Sequence, residues 1–146
     1  MGNGDWFSFD PDRGRGQDAR ISSLLSVGED FPHHRACDCI IVREDREKEI
    51  SVLYIDLKSG NPIGCEKKFK SMRQFIRYSV NLIHEFHNEQ IKIVDERYII
   101  LYGGERQPLR KRTTTIRESG SAKSQPTAPF KKHIENNITI SIKQIA

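Results

Sequence analysis

Asp38, Asp56 and Lys58 are the residues whose types and spacing could do chemistry in this 146-residue chain. Asp38 interrupts one apolar run, Ala36-Cys37-Asp38-Cys39-Ile40-Ile41-Val42, and Asp56 and Lys58 close the next, Ile50-Ser51-Val52-Leu53-Tyr54-Ile55-Asp56-Leu57-Lys58. If the second run is a strand, alternation puts Asp56 and Lys58 side by side on one face and turns Leu57 to the other. Taking an unpaired carboxylate or ammonium out of water is costly, so charges at the ends of two adjacent buried strands call for mutual pairing or a bound cation. The plainer explanation is a strand entering solvent, since Ser59-Gly60-Asn61-Pro62 reads as a turn.

The segment beyond that turn favours chemistry. Phe69, Met72, Phe75, Ile76, Val80, Ile83 and Phe86 recur at three- and four-residue spacing, which describes the buried stripe of a helix over residues 65–88. Gln74 and Tyr78 are four apart on that helix, so both project from one side, beside the stripe, and can point at one ligand.

Asp38, then Asp56-Leu57-Lys58-Ser59-Gly60, then Gln74-Phe75-Ile76-Arg77-Tyr78 resembles the PD-(D/E)xK nuclease superfamily in its RecB-like branch. The likeness covers roughly residues 30–102. It implies an α/β fold with a restriction-endonuclease-like core, a central mixed β-sheet flanked by helices. It also implies that Asp38 and Asp56 hold Mg²⁺ or Mn²⁺, that Lys58 positions the attacking water, and that Gln74 and Tyr78 support the substrate-facing edge. A hard, small cation takes oxygen ligands and keeps waters, so two carboxylates and one backbone carbonyl, that of Leu57, suffice. The metal would stabilise charge on the reacting phosphate and acidify its water, and Lys58 is read as an orienting cation rather than a general base. Cys37 stands where proline is common in the superfamily. Many members add an acid from a first helix; here that helix falls at residues 17–27, and Glu29 is the preferred candidate for a further metal ligand, with a solvated loop acid before Phe31-Pro32 as the competing reading.

Length and charge bound the partners. The chain is one domain's worth, with a flexible lead at residues 1–16, and contains no Gly-x-x-x-x-Gly-Lys-Ser/Thr loop, so nucleotide-driven translocation would need a protein partner supplying ATPase or recognition function. Between Arg106 and Lys132 eight bases face Glu118 alone, a net +7 on a chain of net +4, which leaves the rest at −3. A basic tract on a near-neutral body is the footprint of a phosphate-backbone binder and equally that of a solubilising loop. Arg110, Lys111 and Arg112, with Arg73 and Arg77 on the helix beside Lys67, Lys68 and Lys70, are the candidate contacts to DNA. Residues 119–129 offer nothing to bury and read as disordered.

Three cysteines and no long apolar stretch point to a reducing cytoplasm and no membrane partner. Cys37 and Cys39 read as small buried hydrophobes; His33, His34 and the Cys-x-Cys pair match zinc spacing poorly. Trp6 and the phenylalanines around it could pack on a sheet edge, stack on a base or dock a partner. The expected order is a helix at 17–27, strands at 36–43 and 49–58 joined by a hairpin, the helix at 65–88, a strand at 91–102 whose apolar run 97–102 reads as covered on both faces, a basic, partly disordered segment at 104–133 and a last strand at 137–145. The resulting expectation is a Mg²⁺-dependent deoxyribonuclease of repair, restriction or anti-phage defence. A catalytically silent module that binds nucleic acid or a protein, and a nuclease acting on RNA, are the alternatives, and oligomerisation is left open.

Overall fold

The computed structural model describes residues 5–13, 26, 32–103 and 124–134. Its centre is a five-stranded mixed sheet in the order β1 (Trp6–Phe9), β2 (Cys39–Arg46), β3 (Glu49–Lys58), β4 (Lys92–Tyr102) and β5 (Phe130–His133), with one long helix, α1 (Glu66–His87). β1 with β2 and β2 with β3 pair antiparallel, whereas β3 with β4 and β4 with β5 pair in parallel. The chain is therefore α/β with a mixed sheet.

Local chemistry accounts for the turns. β2 and β3 meet at Glu47 and Lys48, and Lys48 takes the left-handed φ of 61° that a tight reversal requires. Parallel neighbours cannot be joined by a hairpin, so the chain leaves the end of β3, turns at Gly64 with φ 84°, and returns through α1 to the start of β4. α1 must then run opposite to both strands, with its first turn over the carboxyl ends where Asp56 and Lys58 lie. Its other end closes on Asn88, left-handed at φ 53°, whose N–H donates to the His84 carbonyl.

Alternation sorts the sheet into two buried faces. Ile40, Val42, Val52, Tyr54, Tyr98 and Ile100 pack with Phe69, Met72 and Ile76 of α1; Ile41, Leu53, Ile55, Ile99 and Leu101 form a second cluster on the opposite face. Each large apolar side chain buried in this way contributes about 1.5–3 kcal/mol. The expectation that the 97–102 run is covered on both faces holds for Tyr98, Ile99, Ile100 and Leu101, whereas the first half of β4 is largely open. Among the described residues no helix is long and apolar enough to cross a membrane.

Several boundaries differ from the sequence reading. Ala36, Cys37 and Asp38 precede β2 rather than open it, although the first two are buried and the Asp38 N–H still donates to the Ile55 carbonyl at 3.0 Å. The stripe of α1 leaves the core in its last turns: Phe86 is 76% exposed, because the helix runs past the apolar part of the sheet. The flexible lead contains a strand, β1, which pairs with β2 at the sheet edge while Trp6 and Phe7 stay exposed. The segment 104–133 contains order as well: Gln125 and Ala128 bond to each other across a turn, and β5 pairs with β4 from Phe130. The expectation that residues 119–129 offer nothing to bury fails for the described part of that stretch: Ser124 and Pro126 are buried, and Ser124 Oγ accepts from the Tyr98 N–H. The expected helix at 17–27, apart from Ser26, and the strand at 137–145 lie outside the described residues.

Candidate functional site

Asp38 is placed by the end of a strand pairing. Its backbone N–H completes the ladder with Ile55, and its carboxylate Oδ2 then accepts the next free donor of β3, the Leu57 N–H, at 2.6 Å. The N–H and C=O of one strand residue point to the same side, so the Leu57 carbonyl also points toward the β2 side of β3. The Leu57 side chain is turned away, 54% exposed.

Asp56 lies beside it, on the α1 side of the sheet, with no exposed surface. Both carboxylate oxygens are engaged. Oδ1 accepts from Lys68 Nζ at 2.6 Å; Oδ2 accepts from the Cys65 thiol at 2.9 Å and is paired with Lys58 Nζ at 3.2 Å. The side-by-side placement of Asp56 and Lys58 expected from alternation is present. Lys68 and Cys65 were not anticipated. Cys65 sits immediately before α1 and Lys68 in its first turn, and the crossover folds that turn over the end of β3. Sequence carries one signal for them, the breaker Gly64 next to a helix start, but no pattern showed that the turn would land on Asp56. Cys65 offers its thiol to Asp56 and makes no side-chain cap of the helix. The positive end of α1 adds to the field that favours charge on Asp56.

The two carboxylates are driven apart electrostatically. Burial alone would raise Asp56, but hydrogen bonds from Cys65 and Lys68, the Lys68 charge and Lys58 together bring it below the usual carboxylate value. Asp38 moves the other way: burial raises it, the Leu57 N–H opposes that, and the Asp56 charge raises it further. Burial would lower Lys68, yet its hydrogen bond and ion pair with Asp56, helped by Asp38, hold it above the usual lysine value. Burial and the neighbouring Asp56 push the Cys65 thiol up to about 12, so it stays a neutral donor at neutral pH.

The remaining candidates are not brought to this cluster by any described contact. Gln74 is exposed and Tyr78 is 61% exposed; both stand on the outer side of α1, about 9 and 15 Å along its axis from Lys68. They share a side of the helix, as expected, but that side faces away from the sheet rather than flanking the buried stripe. The basic residues of α1 are largely committed: Lys68 to Asp56, Lys70 to Glu66 at 2.5 Å, and Arg77 to Glu96 at 3.1 Å. Arg73 is half-buried against β4. Glu29, Arg110, Lys111 and Arg112 lie outside the described residues.

Compared with known protein families, curated proteins and solved structures, the chain matches none. Its site therefore has to be argued from its own geometry. Among the described residues no three His, Cys, Asp or Glu side chains come together as a metal site. Asp38, Asp56 and the Leu57 carbonyl nevertheless make an all-oxygen set of the kind that suits Mg²⁺, which keeps several waters and needs only one or two carboxylates from protein. A cation there would have to share Asp56 with Lys58 and Lys68. The histidines 33 and 34 both meet the Ser26 carbonyl at 3.0 Å, and Cys37 is a buried thiol raised to about 12 chiefly by burial; neither arrangement resembles a zinc site.

Proposed function

We propose that the chain is a Mg²⁺-dependent nuclease hydrolysing phosphodiester bonds in DNA, with a restriction-endonuclease-like core. The supporting observation is that Asp38, immediately before β2, accepts from the Leu57 N–H between Asp56 and Lys58, at the end of β3, under the first turn of α1. The two strand motifs of the sequence resemblance thus lie together, whereas its helix motif, Gln74 and Tyr78, does not join them. Bound Mg²⁺ would supply charge stabilisation at the scissile phosphate and a more acidic water. Asp38, Asp56 and the Leu57 carbonyl would hold the ion. The lysines do different work: two ammoniums within 3.2 Å of one carboxylate keep Asp56 ionised and leave positive charge at the mouth of the site, where a phosphate oxygen gathers negative charge. Lys58 keeps the orienting role, and Lys68 joins it as a positioning residue acting through Asp56. Gln74 and Tyr78, exposed on α1, would meet a long substrate rather than the reacting phosphate.

One observation favours a second reading. Asp56 is already satisfied by Lys58, Lys68 and Cys65, as it would be in an ion-pair network that only holds α1 to the sheet. The chain would then be a catalytically silent module that binds nucleic acid or a protein partner. Incubating the purified protein with circular single-stranded DNA, circular duplex DNA, linear DNA and RNA, with Mg²⁺, Mn²⁺ or EDTA, separates the readings. Metal-dependent cleavage of DNA that is absent in Asp38→Ala supports the nuclease, and the circular substrates tell internal from terminal attack. Cleavage confined to RNA changes the substrate; no cleavage in any lane supports the silent module.

A further inference from the structure

A cavity of about 250 Å³ opens between α1, β4 and the turn that precedes β5, lined by Arg73, Glu96, Tyr98, Ser124 and Gln125 among others. It is separate from the Asp56 cluster. Tyr98 is in register with Tyr54, two residues short of the position opposite Asp56, which is about 7 Å along the strand.

The polar groups of its lining are unevenly used. Glu96 accepts from the Tyr54 hydroxyl at 3.0 Å and from Arg77 at 3.1 Å, and Asp95 is paired with Arg97 at 2.8 Å. Ser124 Oγ accepts from the Tyr98 N–H at 2.8 Å, which leaves its own hydroxyl proton to give. Arg73 Nε and the Tyr98 hydroxyl, by contrast, are buried and close no hydrogen bond of ordinary geometry, although the Tyr98 hydroxyl lies against both Arg73 and Glu96; Tyr98 is only 2% exposed. Buried donors without partners are rare and cost about 1–3 kcal/mol each, so two in one cavity ask for an acceptor. Burial, together with Glu96 and against Arg73, also holds the Tyr98 hydroxyl above its usual value, so it stays a neutral phenol. The lining acids are each matched by a cation of their own, which leaves the Arg73 guanidinium as the unmatched charge.

We propose that this cavity binds a phosphoryl group, with Arg73, Tyr98 and Ser124 as donors to its oxygens. A guanidinium, a phenol and a serine hydroxyl reaching from a helix, a strand and a turn suit a tetrahedral oxyanion better than a planar carboxylate, which one arginine fork satisfies alone. The volume exceeds the roughly 30 Å³ share of one water and falls below the roughly 300 Å³ at which pockets take whole drug-sized ligands. It therefore holds a phosphate and part of a sugar, with any base outside. The phosphate comes from a nucleic-acid strand or from a free nucleotide.

The test is a titration of the isotopically labelled full chain, followed by backbone amide NMR at fixed ionic strength in EDTA. The probes are inorganic phosphate, deoxyadenosine 5′-monophosphate and a 5′-phosphorylated trinucleotide. Saturable shifts centred on Tyr98, Ser124 and Gln125 are expected, weakened at least fivefold in Tyr98→Phe and at least tenfold in Arg73→Gln. Tyr98→Phe should fold and melt about as the parent does, because it removes a buried hydroxyl that closes no hydrogen bond of ordinary geometry. Tighter binding of the trinucleotide identifies a strand phosphate as the source; equal or tighter binding of the mononucleotide identifies a free nucleotide. Absence of saturable shifts at the cavity with all three probes, or affinities unchanged in both variants, overturns the proposal. The experiment contains no metal and reads no cleavage, so its failure is distinct from failure of the nuclease reading.

Discussion

Replacing Lys68 by methionine keeps the stem of the side chain and deletes its charge. Lys68 Nζ lies 2.6 Å from a carboxylate with no exposed surface, so the pair is not one of the surface bridges that contribute about 0–1 kcal/mol. A hydrogen bond to a charged group contributes about 1.5–3 kcal/mol, and stripping one partner from a buried pair costs about 3–5 kcal/mol. Asp56 would retain Lys58 at 3.2 Å and the Cys65 thiol at 2.9 Å, which keeps the cost near the smaller range. The expected loss is about 2 kcal/mol at neutral pH, equivalent to a fall of roughly 4–8 °C in Tm for a chain of this size. Its pH dependence derives from the two shifts. The lowered Asp56 contributes stability that is complete above the ordinary carboxylate value and is lost as pH falls through its depressed one. The raised Lys68 contributes stability that is complete below the ordinary lysine value and is lost as pH rises through its elevated one. The difference between parent and variant should therefore be flat from about pH 5 to 9 and shrink at both ends. Urea unfolding at a series of pH values measures it. A difference below about 0.5 kcal/mol at neutral pH, within ordinary surface substitutions, or one that persists undiminished in acid, would refute the assigned role of Lys68.

Asp38→Asn keeps an acceptor for the Leu57 N–H and removes a charge that burial and Asp56 disfavour, so it should melt no lower than the parent at neutral pH while losing cleavage; a melting temperature several degrees lower would contradict the raised carboxyl. Gln74→Ala should slow cleavage and leave stability within about 0.5 kcal/mol, since the residue is exposed; an unchanged rate would remove Gln74 from the substrate path. Neutralising Arg110, Lys111 and Arg112 together should weaken DNA binding and reduce the magnitude of its log–log salt slope by about 2–3, at roughly 0.9 per lost phosphate contact. An unchanged slope, measured by fluorescence anisotropy across a salt series, would return the tract to the solvated-loop reading.

Period and punctuation made the central elements legible. The 22 residues of α1 and the ten of β3 were readable because one stripe has helical spacing and the other run is apolar and bounded by turns. Alternation alone was enough to pair Asp56 with Lys58. What sequence could not carry was depth and direction. Gln74 and Tyr78 were expected beside the buried stripe, but spacing fixes only that they share a side; the position of the sheet decides which side, and it left them outside. Lys68 read as one of several surface bases because nothing local distinguishes a lysine folded over a strand end from its neighbours Lys67 and Lys70. β5 was hidden because four residues, Phe-Lys-Lys-His, show neither alternation nor an apolar run, and their strand state comes from pairing with β4.

Asp38 is what separates a site from a strut. An ion-pair network fastening α1 to the sheet is complete with Asp56, Lys58, Lys68 and Cys65. Asp38 adds one hydrogen bond, from Leu57, that a neutral asparagine could accept as well. Burial and Asp56 outweigh the Leu57 N–H and Lys68, so its charge is disfavoured on balance. A bound divalent cation reverses that sign, because the same closeness of two carboxylates that is repulsive alone becomes the source of affinity once a double positive charge lies between them. Under the proposed reading, a carboxylate disfavoured in the metal-free fold and set beside a buried one gains its purpose from the ion the two would share.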